Sequence, residues 1–308
     1  MIISCGEALI DMLPRETADG QAAFVPHAGG ALFNTAIAIG RLGAPAGFFS
    51  GLSSDFLGDI LRETLHRSNV DSSFCATANR PTTLAFVRLV NGQASYAFYD
   101  ENTAGRMLTE ADLPQLDDRV SALLFGAISL IPEPCGNTYE ALMAREAGRR
   151  VIMLDPNIRP GFIPDREKHL ARLRRMVAMA DIVKMSDEDI AWFGEGTEHD
   201  KIAADWLTRG PKLVIITRGS HGADAYTLRG KVSVPGVKVT VADTVGAGDT
   251  VNAGVLVSLH RQGLLTKEAI ANLTEDQVHA AVALGVRAAA VTVSRAGANP
   301  PWQSEMAD

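Results

Sequence analysis

Near-continuous apolar, β-branched runs alternate with helical patterns along most of this 308-residue chain. The pattern predicts strands over Ile2 to Ile10, Ala122 to Leu130, Val151 to Asp155, Ile182 to Lys184, Leu213 to Thr217 and Ala290 to Val293. Helical periodicity lies between them, over Leu32 to Leu42, Gly58 to Ser68, Arg166 to Met179 and Asp276 to Ala289. Strands with no polar face, separated by helices, indicate an α/β fold: a mostly parallel sheet covered on both sides. Ligands of such sheets bind beyond the C-terminal strand ends, in the loops that follow. Asp11, Asp155 to Arg159, Lys184 to Asp189, Thr217 to Gly222 and Asp243 to Asp249 all fall in that position.

Two stretches break the alternation. Phe24-Val25-Pro26-His27 and Thr83 to Tyr99 have strand-like composition with no helix between them, and Asn91-Gly92 is a strong hairpin-turn signal. They predict a small β element, discontinuous in sequence over approximately 12–28 and 80–105. Such an element is either a lid over the strand ends or an ordinary edge hairpin.

Composition narrows the partners. With 46% hydrophobic and 21% charged residues the chain can bury a large core. A net charge of −7 supplies no broad phosphate-neutralising surface, which argues against nucleic acid or an anionic membrane as the main partner. The cluster Arg172, Arg174 and Arg175 reads as the solvated face of a helix. Cys5, Cys75 and Cys135 are few, odd in number and far apart, which suits a reducing cytoplasm better than a disulfide framework. The start Met1-Ile2-Ile3-Ser4-Cys5 reads as a first strand rather than a signal peptide, and no apolar run approaches a membrane span.

The most informative stretch is Asp243-Thr244-Val245-Gly246-Ala247-Gly248-Asp249. It follows an extended β-branched run, Lys238 to Val241, and leads into an apolar helical run, Thr250 to Leu259. A glycine turn entering a helix gathers unpaired N–H groups where they and the helix dipole can hold an anion. Asp249, in the first helical turn, is badly placed to bind phosphate but well placed to take a proton from an attacking hydroxyl. That combination points to phosphoryl transfer. The same residues could also form a tight turn with Asp249 as its N-cap. No Gly-Lys-Ser/Thr follows, and Val251 stands where a dinucleotide fingerprint needs its third glycine. A second glycine pair, in Ala28-Gly29-Gly30-Ala31-Leu32-Phe33-Asn34, precedes another helix, with Asn34 one turn in.

Taken together, these two segments resemble the paired signatures of the PfkB (ribokinase-like) carbohydrate kinase family. Gly6-Glu7-Ala8-Leu9-Ile10-Asp11, Asp155-Pro156-Asn157-Ile158-Arg159 and Thr217-Arg218-Gly219-Ser220-His221-Gly222-Ala223 extend the likeness over nearly the full chain. The resemblance implies one ribokinase-like kinase domain over residues 1–308, with ATP and Mg²⁺ as cofactors and a sugar as acceptor. It implies Asp249 as catalytic base and the amides of Gly246, Ala247 and Gly248 as the anion hole. Asp11, Gly30 and Asn34 match sugar-binding positions; Asn157 and Arg159 match active-site positions. Thr217, Gly219 and Gly222 match the nucleotide-side turn, and adenine is expected on that turn and the helix near Val282. Lys184-Met185-Ser186-Asp187-Glu188-Asp189 matches a region that orders water around magnesium. Here the chain departs from the family, with Ser186 for Asn and Asp189 for Glu, and Ser-x-x-Asp is also close to a helix-capping box. Lys184 and Ser186 would lie on the nucleotide side. Asp243, Val245, Thr292, Arg295 and Gly297 occupy the positions at which relatives bind a monovalent cation, which implies possible use of K⁺. Pro301 stands where some relatives place Ser. Fructokinases of bacteria are the most similar group, implying D-fructose to fructose 6-phosphate. The alternatives are a 2-keto-3-deoxygluconate kinase, in which Arg159 and Arg106 meet a carboxylate, and a non-catalytic sugar-binding protein. An apolar lid face would allow a homodimer.

Overall fold

The computed structural model describes residues 1–90, 93–194 and 198–306. In chain order the first strands are β1 (Ile2–Cys5), β2 (Leu9–Glu16), β3 (Ala22–Gly29), β4 (Ala46–Phe49), β5 (Gly51–Ser53), β6 (Val70–Asp71) and β7 (Ala76–Ala78). There follow β8 (Leu84–Val90), β9 (Gln93–Tyr99), β10 (Ala122–Gly126), β11 (Val151–Asp155), β12 (Ile182–Ser186), β13 (Leu213–Thr217), β14 (Ala223–Thr227) and β15 (Gly230–Val234). The helices are α1 (Ala31–Arg41), α2 (Phe56–Arg67), α3 (Cys135–Glu146), α4 (Arg166–Met179), α5 (Asp187–Phe193), α6 (His199–Arg209), α7 (Ala247–Arg261), α8 (Lys267–Ala271) and α9 (Glu275–Val293).

The main sheet runs β15-β14-β13-β12-β11-β10-β1-β4-β6, parallel except for β14 and β15 at one edge. Its central strands are buried throughout, because successive residues of a strand point to opposite faces and both faces are covered. Ile2, Leu124 and Met153 enter one core, while Ile3, Leu123 and Ile152 enter the other. This is the ribokinase-like three-layer arrangement. A second sheet, β3-β2-β8-β9, takes β3, β8 and β9 from the two segments singled out by composition and adds β2 between them. Its hairpin pairs Leu84 with Tyr99 and Val90 with Gln93. The proposed turn at Asn91-Gly92 lies outside the described residues.

Several expected boundaries are corrected. Ile2 to Ile10 is not one strand: β1 ends at Cys5 and Leu9 opens β2 in the other sheet. Periodicity reads two apolar strands in one register as one; the break is made by Gly6, whose missing side chain leaves room for Leu32, and whose N–H donates to Phe49 O. Ala122 to Leu130 stops as a strand at Gly126 and turns into a 3₁₀ segment. Ala290 to Val293 is the last turn of α9, where the Thr292 hydroxyl donates to Ala288 O and so tolerates the helix. Lys238 to Val241 forms no strand; its valines lie on the surface instead. The strand β4 and the antiparallel β14–β15 hairpin carried no recognised signal. Arg172 is not solvated either: it is buried, donating to Leu130 O at 2.7 Å and pairing with Glu133 and Glu140. Sequence spacing showed a cationic cluster but not the acidic partners waiting on α3 and in the turn before it.

Helix α7 is surrounded, with every residue from Asp249 to Leu259 buried. It packs between α1 and α9, and its crossing with α9 is made at two glycines. A Cβ added to Gly254 would stand 2.4 Å from Gly285 Cα, inside hard-sphere contact. Gly254→Ala should therefore push the helices apart and destabilise the protein by about 1–3 kcal/mol, as overpacking of a close crossing does. Urea denaturation checks this; an unchanged midpoint would mean the crossing has slack.

Candidate active site

The loop after β15 reaches α7 through Asp243 to Gly246. Ala242 and Asp243 N–H groups donate to Val293 O at 2.8 and 3.2 Å, so the loop is tied to the end of α9 rather than to the sheet. The Asp243 carboxylate then accepts from Val245 N–H at 3.0 Å and from Gly297 N–H at 2.9 Å, clamping the C-terminal loop against it. Gly246 takes left-handed backbone angles (φ 79°) and caps α7. The first-turn N–H groups of a helix have no partner within it, and here they open onto a cleft. Ala247 N–H also makes a long 3.3 Å contact to Thr244 O.

Asp249 is buried on this first turn, and its Oδ2 accepts from Asn34 Nδ2 at 3.0 Å. Burial raises its pKa to about 6; the Asn34 hydrogen bond and the Lys184 and Arg159 charges oppose the rise, while Asp155 adds to it. Asn34 sits one turn into α1, whose entry is made by Gly30 at φ 111°. Only glycine fits there, since a Cβ would lie 2.6 Å from Glu7 O. Glu7 accepts from Ala31 N–H at 2.8 Å, and burial carries its pKa to about 7. Asp11, on β2, is raised to about 6 by burial as well. Asn157 follows β11 with φ 40°, a strained angle for a side-chain-bearing residue.

These residues line one cleft of about 370 Å³. Asp11, Gly30, Asn34, Asn157, Arg159 and Gly246 to Asp249 were all singled out from sequence, and the fold brings them together there. A second cleft, of about 630 Å³, lies on the other side of the glycine turn. Thr217, Gly219 and Gly222 line it, as expected. Thr244, Ala247 and Gly248 belong to both clefts, so the turn is their common wall.

Three expectations need correction, and at Ser186 and Asp189 the capping alternative is present. Val282 is fully buried in the core and lines neither cleft; the apolar wall comes from Val286, Ala289, Ala290 and Val293, later on the same helix. Arg106 lies in an adjoining apolar cavity of about 260 Å³, paired with Asp100 at 3.0 Å. Lys184 is buried against Asp155 at 3.0 Å and lines neither cleft. Ser186 and Asp189 form the capping box of α5: Ser186 Oγ accepts from Asp189 N–H, and Asp189 Oδ2 accepts from Ser186 N–H and Oγ. The other Asp189 oxygen accepts from Ile158 N–H at 2.7 Å, so both are committed within the protein. Among the cation candidates, Asp243, Val245 and Gly297 meet through the hydrogen bonds above. The Thr292 hydroxyl is shared with Thr250 at 3.0 Å, and Arg295 turns away to Glu305 at 2.7 Å. Among the described residues no group of three or more His, Cys, Asp or Glu side chains could hold a metal ion, and no helix is long and apolar enough to cross a membrane. Sequence reasoning passed over Glu7, Phe98 and Phe162, which line the first cleft. Glu7 had a visible signal in its Gly6-Glu7 pair; the two phenylalanines, 4.6 Å apart, meet only across the fold.

Two clefts sharing a glycine turn, with a buried carboxylate at that turn, define a group-transfer enzyme with separate donor and acceptor pockets. Residues 1–305 match the description "pfkB family carbohydrate kinase", and the chain belongs to that family. A fructokinase of Rhizobium leguminosarum bv. trifolii is 64% identical over 276 residues, covering 90% of this chain and 85% of that protein. The crystal structure of a fructokinase from Xylella fastidiosa with bound ATP superposes with a TM-score of 0.87 at 26% identity, covering 96% of this chain and 93% of that one. A fructokinase from Vibrio cholerae, solved with fructose, ADP and calcium ion, gives a TM-score of 0.82 at 25% identity, covering 96% and 94%.

The electrostatics of Asp249 can be measured directly. Carbon NMR titration of its carboxyl should give a midpoint of about 6, and Asn34→Ala should move it upward, because the lost hydrogen bond favours the ionised form. A midpoint in the ordinary aspartate range with Asn34 in place would contradict the burial argument.

Proposed function

We propose that this protein transfers the γ-phosphoryl group of ATP to the 6-hydroxyl of D-fructose, giving fructose 6-phosphate and ADP. The observation that carries the reading is the placement of Asp249 at the wall between the two clefts, beside the glycine turn. The 64% identical fructokinase supports the choice of sugar. ATP would lie in the larger cleft, its base against the apolar α9 residues and its terminal phosphate at the turn. The sugar would occupy the smaller cleft, where Asp11 and Asn34 offer acceptors and a donor for its hydroxyls. Asp249 is ionised above about pH 6 and so can take the proton of the attacking hydroxyl at neutral pH. The helix-terminal amides of Gly246 to Gly248 receive the charge that develops on the phosphoryl group, in a site where positioning and electrostatics supply most of the catalysis. Mg²⁺, carried on the nucleotide phosphates, would neutralise part of that charge. With both Asp189 oxygens committed to protein donors, that residue would reach the ion only through water. A monovalent cation such as K⁺ would find its nearest carboxylate in Asp243, beside the turn.

A 2-keto-3-deoxygluconate acceptor is the second reading, favoured by the exposed Arg159 guanidinium in the sugar cleft. Arg106 no longer supports it, being paired with Asp100. The exposed Phe24 and Tyr99, linked edge-on through Phe86, give the small sheet an apolar face on which a second copy could pair. Light scattering tests that pairing, and a monomer at micromolar concentration would dismiss it. Three cysteines left unpaired are consistent with a cytoplasmic protein.

Asp249→Asn should lower kcat by roughly 10²–10⁴, the contribution of a general base, and leave sugar affinity little changed. Lost affinity with normal turnover would reassign the residue. In a panel of acceptors at fixed ATP, kcat/KM should be highest for D-fructose; a far higher value for 2-keto-3-deoxygluconate would overturn the choice. Sugar binding by calorimetry without ADP formation would make the protein a non-catalytic binder.

A further inference from the structure

Behind the glycine turn lies a buried polar cluster that the mechanism above does not use. Asp155 ends β11, Lys184 lies on β12, and Asn252 stands on α7 three residues after Asp249. Lys184 Nζ donates to Asp155 Oδ2 at 3.0 Å, and Asn252 Nδ2 donates to the same oxygen at 2.6 Å. All three are at most 4% exposed, and Asp155 Oδ1 and Asn252 Oδ1 have no hydrogen-bond partner. The ammonium lies directly beneath the turn, since a Cβ added to Gly248 would be 2.9 Å from Lys184 Nζ.

Lys184 is a buried cation acted on by three carboxylates, Asp155, Asp189 and Asp249. Asp189 holds the α5 cap with Oδ2 and accepts Ile158 N–H with Oδ1, and the Lys184 ammonium bonds to neither oxygen. A buried charge deprived of its partner seeks another or is neutralised. If Asp155 were lost, the nearby carboxylate not already bonded to main-chain N–H groups is Asp249, the base itself. An ammonium bonded to that carboxylate would occupy the lone pair needed for the sugar proton.

We infer that Asp155 is a positioning residue for phosphoryl transfer: it holds the Lys184 ammonium beneath Gly248 and off Asp249. The base is thereby left free, and a fixed positive charge backs the amides that receive the phosphoryl group. Asn252 completes the clamp by joining the same carboxylate oxygen to α7, so strand ends and helix start move together. Neither Asp155 nor Lys184 touches a substrate in this scheme. The inference rests on the kinase reading of the site.

The test compares wild type, Asp155→Asn, Lys184→Met and the double variant, by ATP-dependent fructose phosphorylation across the pH range, with unfolding curves for each. The acidic limb of kcat/KM reports Asp249, whose charged neighbours are Glu7 between β1 and β2, Arg159 after β11, Asp155 and Lys184; only the last two are altered. Absence of wild-type turnover would defeat the kinase reading and leave the clamp to be judged from the Asp249 NMR midpoint in the same variants. With turnover, Asp155→Asn should lower kcat at least about tenfold and move the acidic limb down by about one pH unit, with sugar KM within about threefold. The double variant leaves no unpaired buried charge, so its limb should return to near the wild-type position while kcat stays low. A limb unmoved in Asp155→Asn, or equally displaced in the double variant, would reduce Asp155 to a purely structural role and overturn the inference. Should Asp155→Asn fail to fold, the other two variants decide. Lys184→Met leaves Asp155 facing Asp249 unopposed and should raise the limb above that of the double variant. Coincident limbs would sink the proposal.

Discussion

Burial of α7 along nearly its whole length fixes the reacting geometry of this protein. A helix enclosed by α1, α9 and the sheet cannot shift without opening contacts on every side, and the Gly254–Gly285 crossing leaves no space for small adjustments. Its N-terminus, with the glycine turn and Asp249, is therefore held as rigidly as the core. The hydrogen bond from Asn34 then ties the start of α1 to the start of α7, across 215 residues of sequence. Two helix N-termini converge on one cleft, and each brings the positive end of a helix dipole to it.

That convergence explains how the protein tolerates one buried and two half-buried acids in one place. Glu7, Asp11 and Asp249 all have raised pKa values because burial disfavours their charged forms. Their folded-state values lie above the unfolded ones, so they favour folding fully only below the ordinary carboxylate range. That favour is lost as pH rises through about 6 to 7, and at neutral pH their ionised forms oppose the folded state. Sequence optimised for stability alone would not keep them. In the proposed reaction, a polyhydroxylated acceptor whose hydroxyls donate to these carboxylates would offset the cost.

The glycine turn serves two pockets of different character. The smaller one mixes the acids with apolar residues; on the other side the turn meets the apolar end of α9 and the valines of the 237–241 loop. Those valines have exposed side chains, which is costly for a loop with no role and reasonable for one that would cover a flat aromatic base. The small sheet contributes Phe98 to the acceptor cleft and packs it edge-on against Phe162, so the sugar would be bounded by both layers of the molecule.

Much of this was legible in the sequence. The alternation of apolar strands and helices determined the layered sheet, because a strand buried on both faces cannot carry polar residues. The segments around Asp11, Asn34, Asn157 and Asp249 pointed to the cleft they line, because close backbone approach demands glycine at particular turns. Local pattern failed where meaning depends on a distant partner. Arg172 read as solvated because Glu133 and Glu140 are remote in sequence, and Val282 was misassigned because helical periodicity does not say which turn of α9 reaches the loop. Arg106 and Lys184 were expected on ligands, yet Asp100 and Asp155 claim them. Residue type and spacing determined what chemistry the chain could perform. Only the tertiary structure decided which charges are left free to perform it, because a charge is available only when no folded-state neighbour has already paired with it.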